Sequence, residues 1–232
     1  ISQICAAATS SCNGGSLPGN DRLQYSGMLA LQPGCGDDWI LSWSTCCRGT
    51  GTTGPLYISA MLDNTLGTCN NSPVFTQQPI VFYAVNQWAY FNYAAHDPDG
   101  DSLAVSMVDC KANDGVSINY QAPYSGTNPL PTATGFSVDG ATGQVAFLPN
   151  GIGINSLCIL VEEFRDGQKI GEITRDIQLS IVNVPNSSPS VVMPPPGGVF
   201  YDTVAVGDTL AIHIIATDCL LYTSDAADEK VR

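Results

Sequence analysis

The stretch Ile177-Gln178-Leu179-Ser180-Ile181-Val182 alternates between apolar and polar side chains over its first five residues. Successive side chains of a β-strand point to opposite faces, so this pattern places Ile177, Leu179 and Ile181 together on a buried face. Helical periodicity is nearly absent elsewhere, because glycine, proline, asparagine, serine and threonine interrupt every window of helix length. The stretch therefore predicts a half-buried strand in a chain without long helices.

Short runs of similar composition lie on both sides of this stretch. They span residues 39–43, 56–62, 80–85, 88–93, 103–108, 144–148, 157–163 and 209–217. Many short strands separated by turn residues are typical of a β-sandwich or a barrel. We therefore predict an all-β fold.

Parts of the chain resemble one another at a regular spacing. Asn71-Ser72-Pro73 recurs as Ser187-Ser188-Pro189, an offset of 116 residues, and residues 39–64 align without gaps with residues 158–183, an offset of 119. A unit of about 115 residues with some seven strands has the scale of an immunoglobulin-like (Ig-like) sandwich. We predict tandem modules in a fragment of a longer array: residues 1–69 end a preceding Cys-rich module, 70–184 form a complete sandwich, and 185–218 begin a further module.

The motif Asp97-Pro98-Asp99-Gly100-Asp101-Ser102-Leu103 concentrates three carboxylates around a glycine turn. Hard divalent cations, Ca²⁺ above all, are bound by oxygen clusters of this kind. The motif is not an EF-hand, because the twelfth position counted from Asp97 is Val108, where a bidentate Glu is needed. The alternative is a solvated turn whose Asp side chains cap their own backbone. The motif alone leaves both interpretations open.

The wider context of this motif resembles bacterial cadherin-like modules. Residues 95–103 (AHDPDGDSL) follow a strand, and residues 135–139 (GFSVD) and 142–147 (TGQVAF) come later. Residues 160–167 (LVEEFRDG), with 175–178 (RDIQ), are similar to modules of large Bacteroidetes surface proteins, the gliding-motility-associated adhesin-like group. Residues 38–48 (DWILSWSTCCR) resemble the segment that precedes such a module. The resemblance covers residues 38–218 and implies tandem Ig-like or cadherin-like β-sandwiches.

The resemblance also implies a set of Ca²⁺ ligands near the junction of two modules. It places Asp97 and Asp99 at the family's paired-Asp position, with Asp101 as an additional candidate, and Glu163 near the acidic residue that follows the penultimate strand. The sequence departs from the family at residues 64–71 and 183–186, which lack the acidic linker run and leave only Asp63 nearby. Fewer carboxylates imply weaker binding or fewer ions, so the structural turn remains an alternative.

Cysteine usage indicates an oxidising compartment. The chain has nine cysteines, no C-x-x-C pair and two histidines, which argues against zinc and thioredoxin-like sites and favours disulfides in a secreted protein. Cys110 and Cys158 lie clearly inside the predicted complete unit, and we predict that they are bridged. The connectivity of six others is left open: Cys5, Cys12, Cys35, Cys46, Cys47 and Cys69.

Charge and motif content narrow the function. Twenty-one acidic and eight basic residues give a net charge of −13. This charge excludes sequence-independent binding to nucleic acid or to anionic lipid, since both require a positively charged surface. No apolar run approaches the length of a membrane span. Neither a G-x-S-x-G nor an H-E-x-x-H motif occurs, and Glu162 and Glu163 are adjacent in a strand, so they point to opposite faces and cannot act as an acid–base pair. We predict a protein that is not an enzyme.

A cluster of aromatic residues has two interpretations. It comprises Tyr83, Trp88, Tyr90, Phe91 and Tyr93. Aromatic residues on alternating strands usually belong to a core, and the alternative is an exposed surface on which carbohydrate rings stack.

The last fourteen residues, 219–232 (CLLYTSDAADEKVR), break off the strand pattern abruptly after Asp218. They resemble the translation of a transposon sequencing adapter at the end of a metagenomic fragment. The alternative is a genuine polar extension. We expect this tail to pack poorly and exclude it from the fold, which leaves eight cysteines upstream.

Together these features predict a calcium-stabilised module of a secreted or surface-tethered bacterial protein that serves adhesion or spacing. Its expected partners are neighbouring modules of the same chain, with surface glycans or proteins as candidate ligands. The alternatives are an accessory, carbohydrate-binding module of a secreted polysaccharide-degrading enzyme and a purely structural stalk. An exposed aromatic platform would favour the accessory module, whereas carboxylates converging at a module end would favour the array.

Overall fold

The computed structural model describes residues 14, 24–31, 39–46, 48, 54–63, 65, 69–75, 82–92, 95–183, 190–192 and 215–217. Within these ranges the chain is all-β and contains no helix. The predicted fold class is confirmed at this level, and the tandem arrangement of modules stays a prediction. The predicted tail at 219–232 lies outside the described residues, as do Cys5, Cys12, Cys35, Cys47 and Tyr93.

Fifteen strands are present in the described ranges. They are β1 (Trp39–Thr45), β2 (Leu56–Leu62), β3 (Val74–Phe75), β4 (Phe82–Ala84), β5 (Ala89–Asn92), β6 (Ala95–His96), β7 (Ser102–Val108), β8 (Lys111–Asn113), β9 (Val116–Ser117), β10 (Thr132–Val138), β11 (Gln144–Pro149), β12 (Gly153–Arg165), β13 (Gln168–Val182), β14 (Ser190–Val192) and β15 (Ile215–Thr217).

The chain consists of two compact units, residues 1–183 and residues 184–232. In the first unit, an eight-stranded sheet has the order β7-β12-β13-β2-β8-β9, with β1 paired to β2 and β4 paired in parallel to β13. A three-stranded sheet has the order β10-β11-β5, and β3 pairs with β6. In the second unit, β14 and β15 form an antiparallel pair.

The hydrophobic core lies between the two larger sheets. Alternate residues of β12 and β13 face inward, as the opening stretch predicted: Ile177, Leu179 and Ile181 are all buried. From the opposite sheet, Phe147 is fully buried and packs edge-on against Tyr83 with ring centroids 5.1 Å apart. This arrangement of two facing sheets is consistent with a β-sandwich.

A disulfide and a buried ion pair join segments that are distant in sequence. Cys110 and Cys158 are bridged with Cα atoms 5.1 Å apart, which confirms the predicted pairing. Arg48 contacts Asp176 at 2.6 Å, and both side chains are almost completely buried. Cys46 is also disulfide-bonded, whereas Cys69 is a free, exposed thiol.

The hairpin β1–β2 pairs with a strand that was predicted to belong to a different module. Its strands lie in the predicted preceding module, yet β2 pairs with β13 and belongs to the same sheet as the strands of residues 70–184. An ungapped repeat with offset 119 implies that Trp39 pairs with Tyr57, because Cys158 pairs with Asp176. The structure instead pairs Trp39 with Leu62. The β1–β2 register therefore does not follow the ungapped alignment, and the module boundaries stay predictions.

Candidate metal centre

The buried row of β12 ends in a carboxylate. Leu157, Ile159 and Val161 face the core, and Glu163 continues the same row two residues later with only 1% of its surface exposed. Glu162 points to the opposite face, where Lys169 Nζ donates to it at 2.8 Å. This opposite orientation agrees with the prediction from their adjacency.

The hairpin turn after β12 fixes the position of Glu163. Asp166 and Gly167 form a two-residue turn with positive φ angles of 52° and 78°, the conformation favoured between twisted antiparallel strands. The pairing shifts register between Glu163 and Phe164, which leaves Glu163 opposite Gly171. A Cβ atom at Gly171 would lie 2.7 Å from Glu163 Oε2. The glycine therefore provides the space that the carboxylate occupies.

The Asp97 side chain organises the loop between β6 and β7. Its Oδ1 accepts hydrogen bonds from the backbone N–H groups of Asp99 at 2.8 Å and Asp101 at 3.1 Å. Gly100 adopts a φ of 87°, which a residue with a side chain rarely adopts. The capped-turn interpretation of the motif is thus correct for one Asp97 oxygen. The other, Oδ2, is buried and has no hydrogen-bond partner.

The loop and the strand end bring three carboxylates together. One oxygen from each of Asp97, Asp101 and Glu163 lies within 4.8 Å of the others. Glu163 Oε1, like Asp97 Oδ2, is buried without a hydrogen-bond partner. Buried polar atoms are normally paired, so an unpaired oxygen on two of the three grouped carboxylates calls for a compensating proton or positive charge.

Arg165 is paired with the third carboxylate of the group, Asp101. Its Nε and Nη2 donate to the two oxygens of Asp101 at 2.8 and 2.5 Å, and Nη2 also donates to Asn70 Oδ1 at 2.8 Å. Nη1 donates to the Cys69 carbonyl at 3.3 Å. Asp99 lies 3.8 Å from Nη2. Asp97, Asp99, Asp101 and Glu163 outnumber the one guanidinium, so this part of the molecule keeps a negative formal charge when all four are ionised.

The environment shifts the pKa values of the cluster in opposite directions. Burial raises the pKa of Glu163 to about 7; the nearby Asp97 and Asp101 carboxylates add to this shift, and the Asn70 side chain opposes it. Hydrogen bonds from Arg165 lower the pKa of Asp101, although desolvation opposes the change. The guanidinium therefore keeps Asp101 ionised. Glu163, with its raised pKa, takes up a proton near neutral pH unless a cation is close.

Two of the predicted ligands have other partners. Asp99 accepts from the backbone N–H of Asn71 at 2.6 Å and from the Asn71 side-chain amide at 2.9 Å. Asp63 accepts from the backbone and the hydroxyl of Thr65 at 2.8 and 2.5 Å. The structure therefore groups Asp97, Asp101 and Glu163 and gives Asp99 and Asp63 separate local roles. The assignment of all five residues as metal ligands stays a prediction.

The residues of the group fit an oxygen-coordinated divalent cation. Ca²⁺ takes carboxylate, carbonyl and water oxygens in a flexible geometry, and the group supplies three carboxylates, two with a buried oxygen free of hydrogen bonds. A second cluster, formed by Cys110, Cys158 and Asp176, does not fit a metal. Its sulfurs are joined in a disulfide, and its carboxylate is paired with Arg48.

The aromatic cluster separates into two sets. Tyr83 and Phe91 are buried in the core, as the commoner interpretation predicted. Trp88 and Tyr90 are 48% and 63% exposed, and their rings lie nearly parallel with centroids 5.6 Å apart. An exposed aromatic pair is therefore present on β5 and the residue before it, and the alternation along the strand explains the division.

Comparisons with models of protein families, with curated proteins and with solved structures found no match for this chain. A search of the described residues for a helix both long and apolar enough to cross a membrane found none.

Proposed function

We propose that this chain belongs to a secreted or surface-tethered protein and serves adhesion or spacing as a non-catalytic, cadherin-like β-sandwich that a divalent cation stabilises. The sequence resemblance to cadherin-like surface modules suggests this role, and the two-sheet architecture is compatible with it. The Cys110–Cys158 disulfide supports an oxidising compartment. Ca²⁺ is the expected ion, because the candidate ligands are all oxygen atoms.

The observation that carries the proposal is the buried, unpartnered oxygen of Glu163 beside Asp97 and Asp101. A solvated acidic turn does not need such an atom, since its oxygens can bind water. A carboxylate at the end of a core row is costly unless it is protonated or paired with a cation. A bound divalent ion would neutralise it and would join the 97–101 loop to β12.

The ion can be tested by thermal and chemical unfolding of the full chain with and without Ca²⁺. A ligand that binds only the folded state stabilises it by about 2.7 kcal/mol at a hundredfold excess over Kd. We expect this gain in the wild type and its loss in Asp97→Asn. Asp63→Asn is the matched control and should retain the gain, because Asp63 is hydrogen-bonded to Thr65 and is not part of the group. Equal gains in the wild type and Asp97→Asn would refute the proposed ion site.

The adhesive role needs a separate measurement. Beads coated with the full chain should aggregate in Ca²⁺ and disperse in EDTA if the module binds copies of itself. Extension of a tethered chain under force should be stiffer in Ca²⁺ if the module acts as a spacer. Absence of both effects in a protein that binds Ca²⁺ would remove the proposed role and leave the ion site intact.

The exposed Trp88–Tyr90 pair favours a second candidate function, the accessory carbohydrate-binding module. Nearly parallel exposed aromatic rings offer flat apolar faces on which the C–H faces of sugar rings can stack. Retention of the full chain on insoluble polysaccharides, lost in Trp88→Ala and Tyr90→Ala but kept in Trp43→Ala, would support this candidate. Trp43 is a suitable control because it is an exposed aromatic residue on β1.

A further inference from the structure

The guanidinium of Arg165 is paired with one carboxylate of the candidate ion site. It contacts both oxygens of Asp101, and the Asp101 side chain is only 7% exposed. Planar, two-point contacts of this kind are among the stronger hydrogen-bonded ion pairs. One of the three converging carboxylates is therefore already paired with a positive charge that belongs to the protein.

The guanidinium also has hydrogen bonds that do not involve a carboxylate. It donates to the Cys69 carbonyl and to Asn70 Oδ1, and both acceptors lie on the segment before β3. Arg165 thus has acceptors on residues 69–70 that it can keep when it leaves Asp101.

We propose, on the basis of the function proposed above, that Arg165 is an internal counter-cation that sets the affinity of the Asp97–Asp101–Glu163 site for a divalent ion. The ion takes Asp101 only when the guanidinium releases it, because two positive charges repel each other across one carboxylate. The site then has two states. In one, Arg165 bridges Asp101 to residues 69–70; in the other, the ion binds the three carboxylates and Arg165 remains with residues 69–70.

The proposal predicts that removal of the guanidinium strengthens ion binding. Isothermal titration of the full chain with Ca²⁺ should give a Kd that is lower by roughly tenfold or more in Arg165→Met, since a nearby positive charge is lost while the apolar stem is kept. Arg165→Lys keeps the charge but replaces the two-point contact with a single ammonium, so we expect a Kd between those of the wild type and Arg165→Met. Asp63→Asn should match the wild type.

A second measurement follows the guanidinium itself and does not depend on the folding of Arg165→Met. In the wild type, the Nε–H resonance of Arg165, assigned by its loss in Arg165→Lys, should shift as Ca²⁺ is added. The hydrogen bond from Nε to Asp101 is the contact that the ion is expected to break. An unchanged Nε–H resonance at saturating Ca²⁺ would overturn the proposal.

The outcomes separate this inference from the proposed function. If the wild type binds Ca²⁺ and Arg165→Met binds it equally or more weakly, Arg165 does not compete and only the inference fails. If neither protein binds Ca²⁺, the ion site itself fails and the inference fails with it. If Arg165→Met alone binds, the guanidinium excludes the ion completely, which supports the competition and contradicts the ion-stabilised function of the wild type.

Discussion

At the scale of single residues, Glu163 carries the most information because it combines a core position with an ionisable group. It follows Leu157, Ile159 and Val161 in one buried row, yet its side chain ends in a carboxylate with an unpartnered oxygen. A neutral or apolar residue would satisfy the packing alone. The proposed ion site accounts for a carboxylate at this point, which packing alone does not.

The raised pKa of Glu163 predicts a specific pH dependence in the absence of metal. Its pKa rises from an ordinary value of 4.5 to about 7 on folding. The folded state therefore holds a proton that the unfolded state has lost between these values, so stability is fully present below 4.5 and falls as pH rises through 7. The opposite sign applies to Asp101, whose pKa is lowered, but that contribution is lost only in more acidic solution.

The pH dependence can be measured by urea unfolding in EDTA at about pH 5 and about pH 8. Relative to Glu163→Gln, the wild type should lose on the order of 2–3 kcal/mol of unfolding free energy across this interval. Glu163→Gln should lack this contribution, because its amide does not ionise, while other titrating groups such as Asp176 act in both proteins. A parallel decline in both proteins would mean that Glu163 does not titrate in this range.

At the scale of elements, the β12–β13 hairpin positions the site through its irregular pairing. The register shift after Glu163 places Gly171 opposite the carboxylate, and a Cβ atom there would force Glu163 Oε2 to move and would lie 3.3 Å from the Met61 carbonyl. We expect Gly171→Ala to cost about 1–3 kcal/mol through overpacking and to weaken Ca²⁺ binding by displacing Glu163.

Gly153→Ala is the matched control for this substitution. Gly153 lies in the same pair of strands, and a Cβ atom there meets only the Asn155 amide at 3.8 Å. Chemical unfolding and Ca²⁺ titration of both variants would check the prediction. Equal effects at the two positions would contradict the steric role of Gly171.

The disulfide between the end of β7 and β12 should contribute to stability mainly through the unfolded chain. Its two cysteines are 48 residues apart, which corresponds to a loop-closure contribution of about 4 kcal/mol. We expect Cys110→Ala combined with Cys158→Ala to lose an amount of this order in urea unfolding. Removal of free Cys69 is the control, and a double variant as stable as this control would contradict the expectation.

The strands show what the sequence could and could not predict at this scale. Apolar runs with alternating side chains predicted parts of β12 and β13. Both strands extend beyond those runs, because the tight turn of Asp166 and Gly167 joins them directly. Strand β10 was missed because its first half consists of small and polar residues, with Gly135 at a φ of 87° inside a register shift. The two-residue strands β3 and β6 are too short to have a period.

The candidate site also combines residues that the sequence predicted with one that it did not predict. Asp97 and Glu163 were predicted from the resemblance to cadherin-like modules and Asp101 as an additional candidate, whereas Asp99 and Asp63, predicted with them, lie outside the group. Arg165 was missed, although it lies two residues from Glu163. Its contact with Asp101 depends on the register shift and on the packing of residues 69–70, and neither is encoded in a local motif.

At the scale of the first compact unit, a buried ion pair ties the β1–β2 region to the rest of the sandwich. Arg48 reaches Asp176 on β13, and its other nitrogens donate to the carbonyls of Pro55 and Lys111. Burial raises the pKa of Asp176, and the guanidinium opposes that shift. Residues 39–62 therefore contribute to the same unit as residues 70–183.

Breaking this ion pair on one side should be costly. Arg48→Met leaves the Asp176 charge buried and unpaired, so we expect a loss of about 3–5 kcal/mol. The double variant Arg48→Met with Asp176→Leu should be more stable than Arg48→Met alone, because both charges are removed. The comparison requires urea unfolding of the full chain, and a double variant that is less stable than the single one would contradict the account.

The same ion pair predicts where the stable unit begins. A chain restricted to residues 70–184 lacks Arg48 and the β2 edge against Gly171–Ile173, so it should unfold at a lower urea concentration than residues 39–184. Circular dichroism during urea titration of the two fragments would show the difference. Coincident curves would support residue 70 as an independent module boundary.

The central claim, that Asp97, Asp101 and Glu163 hold a divalent ion in competition with Arg165, is tested most directly by a crystal structure of the chain grown in Ca²⁺. We expect an anomalous peak about 2.3–2.6 Å from oxygens of all three carboxylates, with the Arg165 guanidinium no longer in contact with Asp101. A fully ordered site without such a peak, in which Arg165 still contacts both oxygens of Asp101, would contradict it.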